Sequence, residues 1–312
     1  MKTAFIFPGQ GAQHVGMGKD IADAFGPAAE IFQQANDILD FDLRRICFEG
    51  PAQQLNTTAI SQPAIFVTSA AILNLLSTSP AADRLRPDVT AGLSLGEYTA
   101  LYAAGVMDFE QALLLVRKRG QAMQDAADEQ LGAMVSIIGL DEENVARLCA
   151  EASDAEVLQP VNFNCPGQIV VSGTKAACRR AEQLAPKYEA IKAVPLEVAG
   201  AFHTEMMAPA AAALRRALEC AAISDPADIK IIANISAEYY TGAEEIRQGL
   251  TKQLTCPILW QKCMERLIAD GVEIFYEIGP SRVLTGLMKR INRKAKVINM
   301  SNLDSVNELI RS

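Results

Sequence analysis

Ser94 stands between Gly92 and Gly96 in AGLSLGEY, residues 91–98, a G-x-S-x-G spacing. That spacing can expose a serine as a nucleophile. A strand runs in, a helix runs out, and the turn between them is so sharp that a Cβ on either flanking residue would crowd the strained serine. Residues 88–93 suit the incoming strand and residues 97–104 the outgoing helix. The hydroxyl would then lie at a helix N-terminus, where free N–H groups and the helix dipole favour negative charge. The bare pattern also fits an ordinary glycine-rich turn in a chain with 20 glycines, so the strand-in, helix-out context carries the reading.

A serine needs a base. There are only two histidines, His14 and His203. His14 follows the PGQGAQ loop, residues 8–13, and reads as a surface residue or a second-choice base. His203 follows Phe202, and is either a hydrogen-bonded core histidine or the base. The pairing with Ser94 favours the base. Acyl transfer also needs an oxyanion hole. One donor is the N–H after the nucleophile, that of Leu95, and another comes from a loop after an early strand, where Gln10 is the candidate. A carboxylate on the substrate would call for a bidentate guanidinium. Arg117, Lys118 and Arg119 form a basic run, and spacing alone does not choose among them, since adjacent helix positions face different ways.

These groups must be held by a sizeable core, and a chain of 312 residues that is 50% hydrophobic can bury one. A net charge of −8 argues against nucleic acid as a partner, because phosphate contacts need a basic surface. The seven cysteines are odd in number and lack C-x-x-C spacing, so neither a disulfide framework nor a metal site is expected. The N-terminal apolar run is too short for a signal peptide, and no run is expected to span a membrane. The expectation is a cytoplasmic protein.

Along the chain, residues 3–7 read as a buried strand ended by Pro8-Gly9. Helices are expected at 26–38, 52–56, 63–76 and 108–125. From 133 to 198 the pattern is strand, helix, strand, strand, helix, strand, with Asp141 and Thr174 as helix N-caps and a hairpin turn at 164–167. Helices at 207–222, 243–254, 259–270 and up to 290, and strands at 230–234, 272–278 and 296–300, complete it. The expected fold is α/β: a large α/β-hydrolase-like domain, residues 1–128 and 200–312, with a mostly parallel sheet covered on both faces, plus an inserted ferredoxin-like α+β subdomain at 129–199.

Seven stretches together resemble one family: FPGQGAQ (7–13), GLSLGEYTAL (92–101), KRG (118–120), VNFNCPGQ (161–168), GAFHTEMM (200–207), QLTCPILW (253–260) and EIGPSRVLTGL (277–287). Each is weak alone, but they span nearly the whole chain in the family's order. The chain is similar to the malonyl-CoA:acyl-carrier-protein transacylases of fatty acid and polyketide synthesis. The resemblance implies a ping-pong reaction in which malonyl-CoA acylates Ser94. His203 then acts as base and acid, Arg119 clamps the malonyl carboxylate, and the amides of Gln10 and Leu95 form the oxyanion hole. It matches Gln253 to the residue whose backbone carbonyl orients the histidine, and Asn162 to an asparagine supporting that histidine. The acceptor would be the phosphopantetheine thiol of an acyl carrier protein; malonyl-CoA is a substrate, and no cofactor is implied. Most members carry histidine before the nucleophile, whereas this chain has Leu93. That resembles free-standing acyltransferases serving polyketide assembly lines and leaves the pathway open. Phe202 resembles malonyl-selective members, its ring leaving little room for an α-methyl.

The competing reading is a serine acyl-thioester hydrolase, a thioesterase or proofreading enzyme, which shares the elbow, base and oxyanion hole but needs no guanidinium. A third is a catalytically silent interaction subunit, against which the intact Ser94, His203 and Arg119 set argues. Carrier proteins are acidic, so docking on this acidic chain would need a local basic patch. Candidates are Lys187, Lys192, Lys289, Arg290, Arg293 and Lys294.

Overall fold

The computed structural model describes residues 1–80 and 82–311. Its strands, in chain order, are β1 (Lys2–Phe7), β2 (Val89–Gly92), β3 (Gly132–Ile138), β4 (Leu158–Cys165), β5 (Gln168–Thr174), β6 (Lys192–Pro195), β7 (Lys230–Ile231), β8 (Val272–Ile278) and β9 (Lys296–Met300). One sheet runs β7-β2-β1-β8-β9 with every pair parallel. The other runs β4-β5-β3-β6 with every pair antiparallel. The fold is therefore mixed α/β with a parallel sheet.

The central strands are apolar because both faces are covered. Along β1, Phe5 and Phe7 enter one hydrophobic cluster while Ala4 and Ile6 enter the other, as the two-residue period of a strand requires. Phe7 pairs with Gly92, so β1 and β2 end side by side. The PGQG loop and the serine turn thus leave adjacent strand ends, where open α/β sheets hold their ligands.

Three element readings need correction. The helix expected at 63–76 runs over Thr58–Thr78, with Pro63 inside it. The Thr58 amide is satisfied by Gln124 Oε1 of another helix, and the N-cap residue Thr57 makes no side-chain capping bond. Its length and composition would let it cross a membrane, contrary to the expectation of no such run, but 78% of its most apolar window is buried inside the protein. The strand expected at 230–234 pairs with β2 only as Lys230–Ile231, and Ile232 instead bridges to Tyr239 across a turn. The last strand of the 133–198 pattern, expected to run to 198, is confined to Lys192–Pro195, and Leu196 and Val198 instead line a cavity.

Helices at Lys19–Ala24, Leu43–Glu49 and Leu303–Arg311 were not expected. The first follows Gly18 at φ 73°, which offers no side-chain cap. The second does carry a signal, since Asp42 accepts from the Arg45 amide.

In the second sheet, Asp141 caps the helix Glu142–Ser153 and Thr174 caps Lys175–Leu184. Both helices pack on the sheet through Val145, Leu148, Ala177 and Ala181. Register shifts bend β4 at Pro160/Asn162 and Phe163/Cys165, and Asn162 bridges to Ile258 of the large body. The bulges turn one strand of the small sheet toward the end of the large one.

Candidate active site

Ser94 sits in the left-handed region, φ 53°, on the turn between β2 and the helix Gly96–Ala103. The approach of the backbones is close. A Cβ on Gly92 would lie 1.9 Å from the Gly96 carbonyl carbon, one on Gly96 2.2 Å from Phe7 O, and one on Gly9 2.3 Å from Leu93 O. Asn234 locks the turn: its Oδ1 accepts from the Ser94 amide at 2.7 Å, and its Nδ2 donates to Gly92 O at 2.7 Å. Gly96→Ala should therefore destabilise at or beyond the upper end of the ~1–3 kcal/mol typical of overpacking, since the obstructing atoms are backbone. Urea unfolding against wild type checks this, and a loss below about 0.5 kcal/mol would mean the turn is not tightly packed.

His203 is buried, with φ 64°, at the start of the segment leading into helix Ala208–Cys220. Its Nε2 lies 3.0 Å from Ser94 Oγ and its Nδ1 2.6 Å from the Gln253 backbone carbonyl. A carbonyl can only accept, so Nδ1 carries the hydrogen and Nε2 offers its lone pair to the serine. Burial, reinforced by the nearby Arg119 cation, pushes the imidazole down from 6.5 to about 3, against the Gln253 hydrogen bond that raises it. The ring is therefore neutral at pH 7 and able to take a proton. His14 is exposed and lies within 3.4 Å of Ala12 O, a contact within its own loop.

Arg117 and Lys118 are exposed, whereas Arg119 is 1% exposed. All three lie on helix Phe109–Glu129, whose Asp108 cap accepts from Gln111 N. Arg119 Nη1 donates to Gln62 Oε1 at 2.7 Å, and Nη2 donates both to Ser94 Oγ and to Gln253 Oε1 at 2.9 Å. The guanidinium carbon lies 5.5 Å from the Tyr98 ring centroid. Desolvation lowers the Arg119 pKa, and Tyr98 and Glu97 oppose it. A guanidinium stays protonated in proteins, so this is a buried cation held by neutral oxygens.

Beside these groups lies a cavity of about 80 Å³ walled by Gly9, Gln10, Leu93, Ser94, Met123, Met134, Asn162, Leu196, Val198, Phe202 and His203. Enclosed drug-sized ligands occupy roughly 300–1,000 Å³, so this space suits a short acyl group with its carrier left outside. Among the described residues, the backbone amides of Gln10 and Leu95 have no hydrogen-bond partner, as an oxyanion hole requires. A larger cavity, about 550 Å³, lies near Leu73, Arg86 and Tyr102, away from Ser94.

Asn162, which the resemblance matched to an asparagine supporting the histidine, lines the same cavity as His203 and makes no hydrogen bond to its ring. Both ring nitrogens are taken, by Ser94 and by Gln253. Asn162 Oδ1 is buried without a partner. Gln253 does more than its expected backbone role, since its side chain also joins Arg119, Ser94 O and Glu97. Sequence reasoning missed Gln62, Asn234 and Glu97. Glu97 adjoins the turn and could have been suspected as a carboxylate in an apolar helix; Gln62 and Asn234 carry no local signal.

The acyl transferase domain family matches residues 4–312. The chain is 41% identical to a malonyl CoA-acyl carrier protein transacylase of Bacillus subtilis, covering 100% of this chain and 97% of that one. It is 43% identical to the protein of the same description from Escherichia coli K12, over 92% of each. Among solved structures, it is similar to a malonyl-transacylase in complex with its holo type II PKS acyl-carrier protein. There the TM-score is 0.94 and the identity 39%, over 100% of this chain and 99% of that one. An acyl carrier protein S-malonyltransferase of Vibrio cholerae is 40% identical with a TM-score of 0.92, over 99% of this chain and 100% of that one.

Proposed function

The chain belongs to the acyl transferase domain family, and on that premise we propose that it moves a malonyl group from malonyl-CoA to the phosphopantetheine thiol of an acyl carrier protein through a malonyl ester on Ser94. The observation that carries the malonyl assignment is Arg119, a buried guanidinium with Nη2 at 2.9 Å from Ser94 Oγ. A fixed cation at that distance suits an acyl group bearing its own carboxylate. The transacylase relatives and the carrier-bound structure agree with it. A thioester hydrolase would gain nothing from the costly burial of that cation.

In the first half-reaction Ser94 Oγ attacks the thioester carbonyl while His203 Nε2 takes its proton. The oxyanion is received by the amides of Gln10 and Leu95. The C–S bond breaks, and His203 returns the proton to the CoA sulfur. The carrier thiol then repeats the sequence, giving its proton to His203 and releasing Ser94. When the malonyl carboxylate pairs with Arg119, it cancels part of the positive field that depresses His203. Substrate charge therefore makes the base stronger as well as binding better. Phe202, 4% exposed, closes the cavity against an α-methyl. The chemistry needs no cofactor, metal or nucleic acid.

Residues 129–199 are, in this reading, a ferredoxin-like subdomain inserted into an α/β-hydrolase-like domain of residues 1–128 and 200–312. The βαββαβ order and the β4-β5-β3-β6 arrangement support it. A carrier would meet exposed Lys192, Lys289, Arg293 and Lys294. Lys187 is already paired with Glu151, and Arg290 with the 166–168 turn, so both have less to offer. The reaction belongs in the cytoplasm, feeding fatty acid or polyketide assembly.

The test is acyl-enzyme formation from malonyl-CoA and acetyl-CoA, followed by intact mass. Arg119→Ala should cut malonyl-over-acetyl selectivity about ten- to a hundred-fold or more, the worth of a charge-assisted bidentate pair. Lys at 119 should rescue little, since it keeps the charge but loses the fork. Arg117→Ala, altering an exposed residue, should behave as wild type. Equal loss for both acyl groups in Arg119→Ala would remove the carboxylate clamp.

A further inference from the structure

Glu97 is 1% exposed, in the first turn of the helix that leaves Ser94. Three donors converge on it. Tyr240 O–H reaches Oε1 at 2.5 Å, Gln253 Nε2 reaches Oε2 at 2.6 Å, and the Asn234 amide reaches Oε2 at 3.4 Å. Two of these partners hold the reacting groups. Asn234 grips the Ser94 amide and Gly92 O. Gln253 gives Nε2 to Ser94 O, Oε1 to Arg119 and its backbone carbonyl to His203.

We propose that Glu97 is a positioning residue for the acylation of Ser94: as an anion it holds the Gln253 amide in the one orientation that offers Arg119 an acceptor and Ser94 O a donor. The proposal rests on the acyltransferase reading of the site. Its logic is one of donor and acceptor counting. A carboxylate can only accept, so Nε2 of Gln253 must face it and Oε1 must face Arg119. A protonated Glu97 needs an acceptor of its own. If the Gln253 amide flips to supply one, its NH₂ meets the Arg119 guanidinium and donor faces donor. The buried cation then loses an oxygen and Ser94 O loses a donor.

The titratable groups acting on Glu97 are Tyr98 on its own helix and Arg119, Tyr240 and Cys263 on the elements packed against it. Burial pushes both phenols and the thiol up, so of these Arg119 alone is charged near neutral pH. Burial also raises Glu97 from 4.5 to about 7, with Tyr240, Gln253, Asn234 and Arg119 opposing. His203 stays neutral down to about 3. An acid limb near 7 in the acylation rate that disappears in Glu97→Gln would thus belong to Glu97, not to the base.

The experiment measures single-turnover formation of the malonyl enzyme from malonyl-CoA between about pH 5 and pH 9, with thermal unfolding in parallel. Wild type should lose rate with unit slope below about 7. Glu97→Gln should be about tenfold or more slower at neutral pH, the scale of one charge-assisted hydrogen bond, and flat through that limb. Tyr240→Phe keeps the carboxylate but removes a hydrogen bond that favours its anion, so the limb should move to higher pH. A folded Glu97→Gln within twofold of wild type with the limb intact overturns the proposal, as does a Tyr240→Phe limb that stays put. If Glu97→Gln does not fold, Tyr240→Phe decides alone. A wild type that forms no malonyl ester would instead sink the acyltransferase reading, a result distinct from either.

Discussion

Ser94→Ala should gain no malonyl mass on incubation with malonyl-CoA and should transfer nothing to a carrier thiol. Removing a serine nucleophile from a comparable hydrolytic machine costs on the order of 10⁶-fold. Here the loss should be complete in practice, because the product of the first half-reaction is an ester of that oxygen. The fold should survive. Alanine occupies the same φ 53° as serine does, and the Asn234 clamp acts on the backbone of residue 94, not on its side chain. Arg119 Nη2 keeps Gln253 Oε1 as its acceptor when Ser94 Oγ goes. Unfolding should therefore shift by no more than about 1–2 kcal/mol. A stable alanine variant that still gains the malonyl mass would show that another group is acylated.

His203→Ala should slow malonyl-enzyme formation by ~10²–10⁴-fold, the usual contribution of a positioned base, while His14→Ala should leave it unchanged. It should also alter the pH dependence of stability. The folded imidazole titrates near 3 and the free one near 6.5. As pH falls from about 6.5 toward 3, the unfolded chain takes up a proton that the folded chain refuses. Stability is lost at up to about 1.4 kcal/mol per pH unit in that window, and this contribution is fully present above 6.5. Glu97 has the opposite sign: its raised value makes the folded state hold an extra proton between about 4.5 and 7, so acidification through that window stabilises. The two effects offset each other in wild type over their shared range. Without the imidazole only the Glu97 trend remains, so the stability of His203→Ala relative to wild type should rise steadily below about 6.5. Parallel urea titrations at several pH values measure it. Parallel curves for the two proteins would mean that the imidazole is not buried neutral.

The local parts of the site were legible because their chemistry is local. Gly92, Ser94 and Gly96 announce a turn that only small residues can make, and the backbone atoms that a Cβ at either glycine would strike say why. With only two histidines, the base was a choice of one in two, and exposure separates His14 from His203. Asp141 and Thr174 cap their helices through contacts three residues away, within reach of a sequence pattern. The helix at Thr58–Thr78 was misjudged at its start because the partner of its first amide, Gln124, lies 66 residues along the chain.

By itself, then, the sequence determined the alternation of strands and helices, the turn that strains Ser94, the candidate base and the family likeness. All of these depend on residues close in the chain or on motifs that keep their order. Residue type and spacing left Arg117 and Arg119 as alternatives, and only the family likeness singled out Arg119; the tertiary structure decided which of them is buried beside Ser94. Arg117 and Arg119 are the same residue type two positions apart, and packing against helix Thr58–Thr78 puts Arg119 alone in the interior, where Gln62 meets it. The same is true of Asn234, Glu97 and the side chain of Gln253. They come from separate elements and acquire their roles only where those elements converge on Ser94. A hydrogen bond across 140 residues leaves no periodicity or spacing to read; it exists because a buried polar atom must find a partner, and the partner is whatever the fold brings within 3 Å.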